Sequence, residues 1–180
     1  DLNSSLKGLK SLSYLDLSSN RLENVSARQF ADLTFLNGLF LQNNKIKTIG
    51  GQQKFVFASL VKLSLRNTSN EIISAFNLSS SKYLEQLDLS QNDVYPAREI
   101  MSSLPNRTLM YLNLRSTNLS FSLAFLARLT TLNELDLSEN SLRLSEITYL
   151  LSINRFETGL LSNVNLSSEA VEMYDTVGED

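Results

Sequence analysis

Residues 12–22 read Leu-Ser-Tyr-Leu-Asp-Leu-Ser-Ser-Asn-Arg-Leu, and this stretch decides the fold because close copies of it follow along most of the chain. Its central leucines are Leu15 and Leu17, and its asparagine is Asn20. Self-similarity at a fixed spacing of about 20–50 residues is typical of repeat proteins. The copies begin at Leu12, Leu36, Leu60, Leu84, Leu109 and Leu132, and a weaker seventh copy comprises Phe156, Gly159, Leu161, Val164 and Leu166.

The spacing inside each copy predicts a short strand. Leu15 and Leu17 are two residues apart, so in an extended chain their side chains point to the same face. A strand of this length cannot bury them alone, whereas stacked copies pair in parallel and share one core. Each buried leucine contributes about 1.5–3 kcal/mol. We therefore expect one shared row made by Leu15, Leu39, Leu63, Leu87, Leu112 and Leu135.

A polar residue follows each predicted strand and is expected to point inward. An asparagine amide there can bond turn backbone groups whose loss of a partner would cost about 1–3 kcal/mol each. Thr68 and Thr117 replace the asparagine in two copies and keep one hydroxyl. Asn70 stands where the third copy needs an apolar residue, so we expect a distortion near Ile72 and Ile73. The asparagines themselves are Asn20, Asn44, Asn92 and Asn140.

The segments between the predicted strands differ from copy to copy. Pro96 before residues 97–101 indicates the start of a helix, because proline is tolerated in a first helical turn. Ser145 fits the N-cap of a helix over residues 146–151, and residues 123–129 have a similar helical character. The corresponding segments of the early copies look less helical.

The pattern Asn20-x-Leu22-x-x-Val25-x-x-x-x-Phe30-x-x-Leu33-x-x-Leu36 resembles the leucine-rich repeat family, in the 24-residue class of extracellular receptors of Toll-like or adhesion type. The resemblance covers roughly residues 6–166. It implies an α/β repeat fold, a curved solenoid with a parallel sheet on its concave side and mixed helices and turns on its convex side.

The same resemblance sets the expected domain organisation. We expect residues 1–166 to form an array of about seven units and residues 167–180 to form an acidic tail or exit from the array. Extracellular members of the family usually have cysteine-bonded caps, and this chain has no cysteine. We therefore expect it to be a segment of a longer ectodomain.

Composition excludes several kinds of chemistry. The 180 residues include no histidine and no cysteine, which removes the usual general base, thiol nucleophiles and Cys or His metal sites. Asp16, Asp88 and Asp136 fall in one line, but at ~4.8 Å between strands the nearest two are about 10 Å apart, beyond the ~5–9.5 Å of paired catalytic carboxylates. The net charge of -3 brings no basic stripe for nucleic acid. We expect no enzymatic activity, no cofactor, no metal and no membrane-inserted segment.

Seven N-x-S/T triplets point to the secretory pathway. Composition alone would yield roughly four, so the excess is modest. None falls on an inward asparagine, where a glycan could not fit, and a glycan at Asn67 would shade the middle of the concave face. We expect an extracellular or cell-surface protein, with a cytoplasmic one as the alternative. The triplets begin at Asn3, Asn24, Asn67, Asn77, Asn106, Asn118 and Asn165.

Outward strand positions form a face whose side chains are free to vary, so recognition of a protein ligand or co-receptor is the expected function. Phe40 is a candidate anchor on that face, and a surface aromatic without a role is the alternative reading. The mixed charges suit a protein partner, although ordinary solvated charges would give the same pattern. The predicted ligand-binding residues are Tyr14, Asp16, Phe40, Lys62, Arg66, Asp88, Tyr111, Asn113, Arg115 and Asp136.

Narrower and alternative functions stay open at this point. The resemblance implies a receptor of innate immunity or cell adhesion, with pairing to a second copy as a further option. An intracellular leucine-rich repeat scaffold would use the same face without glycans. A structural spacer in a larger chain would use no face at all.

Overall fold

The computed structural model describes residues 5–94, 99–119, 122–153, 158–160 and 165–166. Residues 167–180, predicted as an acidic tail or exit, lie outside this part of the chain. The described strands are β1 (Tyr14–Asp16), β2 (Asn24–Ser26), β3 (Gly38–Phe40), β4 (Thr48–Gly50), β5 (Lys62–Ser64), β6 (Gln86–Asp88), β7 (Tyr111–Asn113), β8 (Glu134–Asp136), β9 (Ser141–Leu142), β10 (Thr158–Leu160) and β11 (Asn165–Leu166). The described α-helices are α1 (Asn70–Ala75), α2 (Glu99–Ser102) and α3 (Leu144–Ile153).

Seven of these strands form one parallel sheet in the order β1-β3-β5-β6-β7-β8-β10. Each strand pairs with the corresponding strand of the next copy, so the chain advances by one strand per repeat. The central leucines stand opposite one another in the order Leu15, Leu39, Leu63, Leu87, Leu112 and Leu135, and the row continues to Gly159. The predicted row and the predicted solenoid are confirmed.

The leucine row forms the wall of one continuous core. From Leu39 to Leu135 its members are at most 5% exposed. Leu15 is only half-buried, because within the described residues the first repeat packs against a neighbouring repeat on one side only.

Asn44, Asn92 and Asn140 are buried and bond turn backbone groups, as predicted, and they also connect neighbouring repeats. The Nδ2 of Asn44 donates to the carbonyl of Leu17 in the preceding repeat at 2.8 Å and to that of Leu41 in its own repeat at 2.9 Å. Its Oδ1 accepts from the backbone N–H of Leu22. Asn92 and Asn140 bond in the same manner.

Asn20 departs from this prediction because its side chain is exposed. It still donates to the carbonyls of Leu17 and Ser18, but no described repeat lies before it to be bonded. Thr68 follows the prediction and donates its hydroxyl to the Leu65 carbonyl at 2.6 Å. Thr117 donates to Leu114 in the same way.

The prediction of a distortion near Ile72 and Ile73 is wrong. Asn70 instead opens α1, and Ser69 caps the helix by accepting from the Ile72 N–H. Both isoleucines are fully buried, since a helix places them side by side against the core. The polar residue at position 70 thus begins a helix in this repeat, and the apolar side chains that follow it remain buried.

Two further helix predictions need correction. Ser145 lies inside α3 rather than at its N-cap, because the N–H groups of Glu146 and Ile147 already bond to the carbonyl of Arg143. The segment predicted over residues 123–129 is a 3-10 helix, Leu123–Arg128, capped by Ser122. Pro96 lies outside the described residues, and α2 is described from Glu99 onward.

The early repeats differ on the side opposite the main sheet, as expected. There β2 and β4 pair in parallel, and a 3-10 helix, Ala27–Phe30, follows β2. Four phenylalanines pack together beneath these segments, with ring centroids of Phe55 and Phe76 4.8 Å apart. The leucine pattern did not indicate this cluster, because only Phe30 and Phe57 fall on its apolar positions.

Candidate functional site

The face of the main sheet opposite the leucine row, here called the open face, displays two lanes of outward side chains. Strand pairing places the residues of each lane side by side. The first lane is Tyr14, Gly38, Lys62, Gln86, Tyr111 and Glu134, and the second is Asp16, Phe40, Ser64, Asp88, Asn113 and Asp136.

A third lane begins where the strands end. It contains Arg66 and Arg115, and the parallel backbone bonding continues beside it, as between the Asn67 N–H and the Ser90 carbonyl. All ten predicted ligand-binding residues therefore lie on one side of the sheet, where Asp136 is buried. That they bind a ligand stays a prediction.

The ring of Tyr14 lies over Gly38 and beside Phe40. A Cβ placed on Gly38 would overlap the Tyr14 ring and would lie 3.2 Å from Cε2 of Phe40. The glycine therefore leaves the space that the tyrosine occupies. Tyr14 is 55% exposed even so. We call this group, Tyr14, Gly38 and Phe40, the aromatic shelf.

Gly38 was not among the predicted binding residues. The signal available in the sequence was that it is the only glycine in the six-residue first lane. The effect of Gly38 could be found only in the structure, because it depends on which side chain approaches the strand backbone at that position.

Four predicted binding residues of the second lane have a task within the chain. Each side chain accepts the backbone N–H two residues further on: Asp16 from Ser18 at 2.8 Å, Asp88 from Ser90 at 3.0 Å, Asn113 from Arg115 at 3.0 Å and Asp136 from Ser138 at 2.9 Å. These bonds hold the turn that ends each strand. At Asp16, the hydroxyl and N–H of Ser18 lower the pKa of the carboxyl.

The cations of the open face differ in their surroundings. Arg115 donates to Glu139 at 2.6 Å, and this contact raises the pKa of Arg115 and lowers that of Glu139. Lys62 and Arg66, both in the third repeat, have no carboxylate partner within 4.0 Å in the described part of the chain. Arg66 donates its Nε to the neutral amide oxygen of Gln91.

Carboxylates surround Tyr111 in the last repeats. The phenol is half-buried, and burial raises its pKa; the amide of Asn113 opposes this, and the charges of Asp88, Asp136 and Glu134 add to it. Glu134 is exposed, whereas Asp136 is buried. We call Asp88, Glu134 and Asp136 the acidic group. Glu134 was not among the predicted binding residues, although its lane position was evident.

The predicted glycosylation sites lie mostly on exposed positions. Asn24, Asn67, Asn106 and Asn118 are exposed, and Asn77 is half-buried with its Oδ1 accepting from the Ser79 hydroxyl. Asn67 and Asn118 line a polar depression beside the strand ends rather than the open face itself. Asn3 and the side chain of Asn165 lie outside the described residues. Occupancy of all seven sites stays a prediction.

Within the described ranges, no group of three or more acidic side chains is arranged to hold a metal ion. Nor does any helix there have the length and apolar character that crossing a membrane requires.

Comparison with known proteins agrees with this architecture. A family model described as leucine rich repeat matches residues 3–46. Lumican from Mus musculus is 36% identical over 109 residues, which is 58% of this chain and 30% of lumican. The human leucine-rich repeats and immunoglobulin-like domains protein 3 is 34% identical over 106 residues, 59% of this chain and 9% of that protein. The chain thus spans less than a third of either relative.

Solved structures share the fold over more of the chain. Human 5T4, the trophoblast glycoprotein, superposes with a TM-score of 0.66 at 25% identity, covering 86% of this chain and 61% of that one. A chain from an octameric complex of latrophilin 3, Unc5D and FLRT2 has a TM-score of 0.50 at 16% identity, covering 93% of this chain and 66% of the other.

Proposed function

Since this chain is a leucine-rich repeat protein, we propose that its open face binds a protein ligand or co-receptor, without catalysis, as part of the ectodomain of a secreted or cell-surface receptor. The proposal includes three finer assignments. The protein is a receptor of innate immunity or cell adhesion, its repeats belong to the 24-residue class, and the chain can pair with a second copy.

One observation carries the proposal. The open face presents the aromatic shelf with its exposed Tyr14, two cations that have no carboxylate partner in the described part of the chain, and an acidic group. All of them lie on one side of a sheet whose other side is buried from Leu39 to Leu135. Exposed aromatic and charged side chains on a rigid surface are the groups from which protein interfaces are built.

Two findings support an extracellular location. The described sequon asparagines are exposed or half-buried, as an attached glycan requires. Human 5T4, which shares the fold over 86% of this chain, is named a glycoprotein. The FLRT2 structure is that of a complex with other proteins, so the same architecture accommodates protein partners there.

A glycan placed on the open face tests the proposal. Lys62→Asn completes the triplet Asn-Leu-Ser with Leu63 and Ser64, in the middle of the first lane. The matched control is Arg128→Asn, which also removes one positive charge and completes Asn-Leu-Thr, at an exposed position of the 3-10 helix Leu123–Arg128.

Both variants are made in a secreting cell line, and a mass shift on glycosidase treatment shows that the new sites are occupied. They are then compared with the unaltered chain for binding to a panel of purified ectodomains. We expect at least one binder whose affinity falls by more than about tenfold with Lys62→Asn and is unchanged with Arg128→Asn, because a glycan excludes a partner from the surface it covers. Binders that tolerate both glycans would move the interface off the open face.

A further inference from the structure

The charges of the open face change in a definite order along the sheet, and from this order we infer the chemistry of the partner. We propose that the open face binds an extended protein segment that presents an apolar side chain, then an acidic one, then a basic one. This inference rests on the proposed function and specifies the partner of the same face.

The apolar position is the aromatic shelf in the first two repeats. Tyr14 and Phe40 belong to neighbouring strands, and Gly38 allows their rings to approach. Tyr14 is 55% exposed and Phe40 is half-buried, so an apolar group from outside can contact both rings. Rigid aromatic side chains lose little conformational entropy on binding, which makes them effective anchors.

The acidic position of the partner lies over the third repeat. Lys62 and Arg66 are the cations of this repeat on the open face, and no carboxylate of the described chain neutralises either. A partner carboxylate at this place can form ion pairs with both Lys62 and Arg66. A partner lysine or arginine at the same place would be repelled by both.

The basic position of the partner lies over the fourth to sixth repeats. The acidic group contributes three carboxylates there, and its neighbour Arg115 is already neutralised by Glu139. Glu134 is exposed, whereas Asp136 is buried, so Glu134 is the group that a partner cation contacts first. The negative charges of Asp88 and Asp136 also attract a partner cation, although each of these carboxylates accepts a backbone N–H in the turn that ends its strand.

Strand spacing sets the distances between these positions. At about 4.8 Å per strand, Lys62 is one step of about 5 Å from Gly38, and Glu134 is four steps or about 19 Å from it. An extended chain advances about 3.3 Å per residue. The partner segment therefore places its acid about two residues, and its base about six residues, from the apolar residue.

Synthetic peptides test the inferred order. The matched peptide has twelve residues: a leucine, a glutamate two positions after it, an arginine six positions after it, and glycine and serine at the other positions. The swapped peptide exchanges the glutamate and the arginine, so composition and net charge are identical. Both are made in the forward and the reversed sequence, because strand spacing does not set the direction of the segment.

Binding of fluorescently labelled peptides to the whole chain is measured at low and at physiological salt. We expect the matched order, in one direction, to bind about tenfold more tightly than the swapped order, with a smaller ratio at higher salt. Equal binding of the two orders in both directions, or no binding of any peptide, would overturn the inference.

A substitution at Glu134 tests whether the acidic group causes the preference for the matched order. Glu134→Lys changes an exposed side chain and should leave the fold intact. The matched control is Glu71→Lys, which makes the same charge change at an exposed position of α1. We expect Glu134→Lys to abolish or reverse the preference for the matched order and Glu71→Lys to preserve it. A preference unchanged by Glu134→Lys contradicts the assignment.

The two tests fail separately. If the Lys62→Asn glycan blocks an ectodomain but the peptides show no preferred order, the open face binds protein and the inferred order is wrong. If both glycan variants leave every binder unaffected, the proposed function itself is wrong.

Discussion

Asn92 is hydrogen-bonded to Leu65 of the preceding repeat, its Nδ2 donating to the leucine carbonyl at 2.8 Å. The same amide donates to the carbonyl of Leu89 in its own repeat, and its oxygen accepts from the N–H of Thr68. One side chain thus satisfies backbone groups of two consecutive turns. This is the polar counterpart of the leucine row, and it ties each repeat to the one before it.

The first prediction concerns this bond. Asn92→Ala leaves several buried backbone groups without partners, each costing about 1–3 kcal/mol, so we expect a loss of about 2–4 kcal/mol in the free energy of unfolding. Urea unfolding followed by circular dichroism measures it. Asn20→Ala is the control, because Asn20 is exposed and, among the described residues, bonds within its own repeat; an equal loss there would contradict the role of Asn92.

The second prediction compares two positions of the leucine row. Leu87 is fully buried with a repeat on each side, so Leu87→Ala should lower the free energy of unfolding by about 2–5 kcal/mol. Leu15 is half-buried, and Leu15→Ala should cost less than half as much, because water already reaches part of its side chain. The two midpoints in a urea titration give the comparison. Equal effects would mean that the half-buried row position contributes as much as the buried one.

The third prediction concerns the aromatic shelf. Gly38→Ala would displace the Tyr14 ring, since the new Cβ needs the space that the ring occupies. We expect this change and Tyr14→Ala each to weaken binding of the matched peptide, and the double variant to be no weaker than the stronger single one. Such non-additivity is the mark of two residues acting through one arrangement. Additive losses in the peptide titration would show that they act independently.

The fourth prediction concerns pH. The contact with Arg115 lowers the pKa of Glu139 below its usual 4.5 in the folded chain. The contribution of this pair to stability is therefore present above the pKa of the unfolded chain and is lost as pH falls through the lower, folded value. An NMR titration of the Glu139 carboxyl should show a midpoint below 4.5, which moves upward in Arg115→Gln.

Salt provides the control for this titration. Both side chains are at the surface, so the shift should shrink as ionic strength rises. A midpoint of Glu139 that is the same in Arg115→Gln and in the unaltered chain would show that the salt bridge is not formed in solution.

The repeat pattern predicted the main sheet, its register and the burial of Asn44, Asn92 and Asn140. It did so because one short motif, copied in tandem, places equivalent residues side by side whatever the intervening segments do. It did not predict α1 correctly. A single polar residue at position 70 looked like a defect, whereas Ser69 before it provides a helix cap whose effect depends on the core that Ile72 and Ile73 enter.

The candidate site, too, could be predicted from the sequence only in part. Tyr14 and Phe40 could be placed on one face by counting residues, but their contact through Gly38 depends on rings in neighbouring strands. The second-lane side chains look like free carboxylates and an amide in the sequence. In the folded chain each holds a strand end, which only the turn geometry reveals.

The sequence by itself determined that this protein is a stack of leucine-bearing strands, and which side chains that stack turns outward. A period in the chain becomes a period in space because identical units bury their apolar faces best against one another. Only the tertiary structure decided which polar groups of the outer face remain available. Whether a charge is paired, a ring is supported or an asparagine is buried depends on what the neighbouring repeats place beside it.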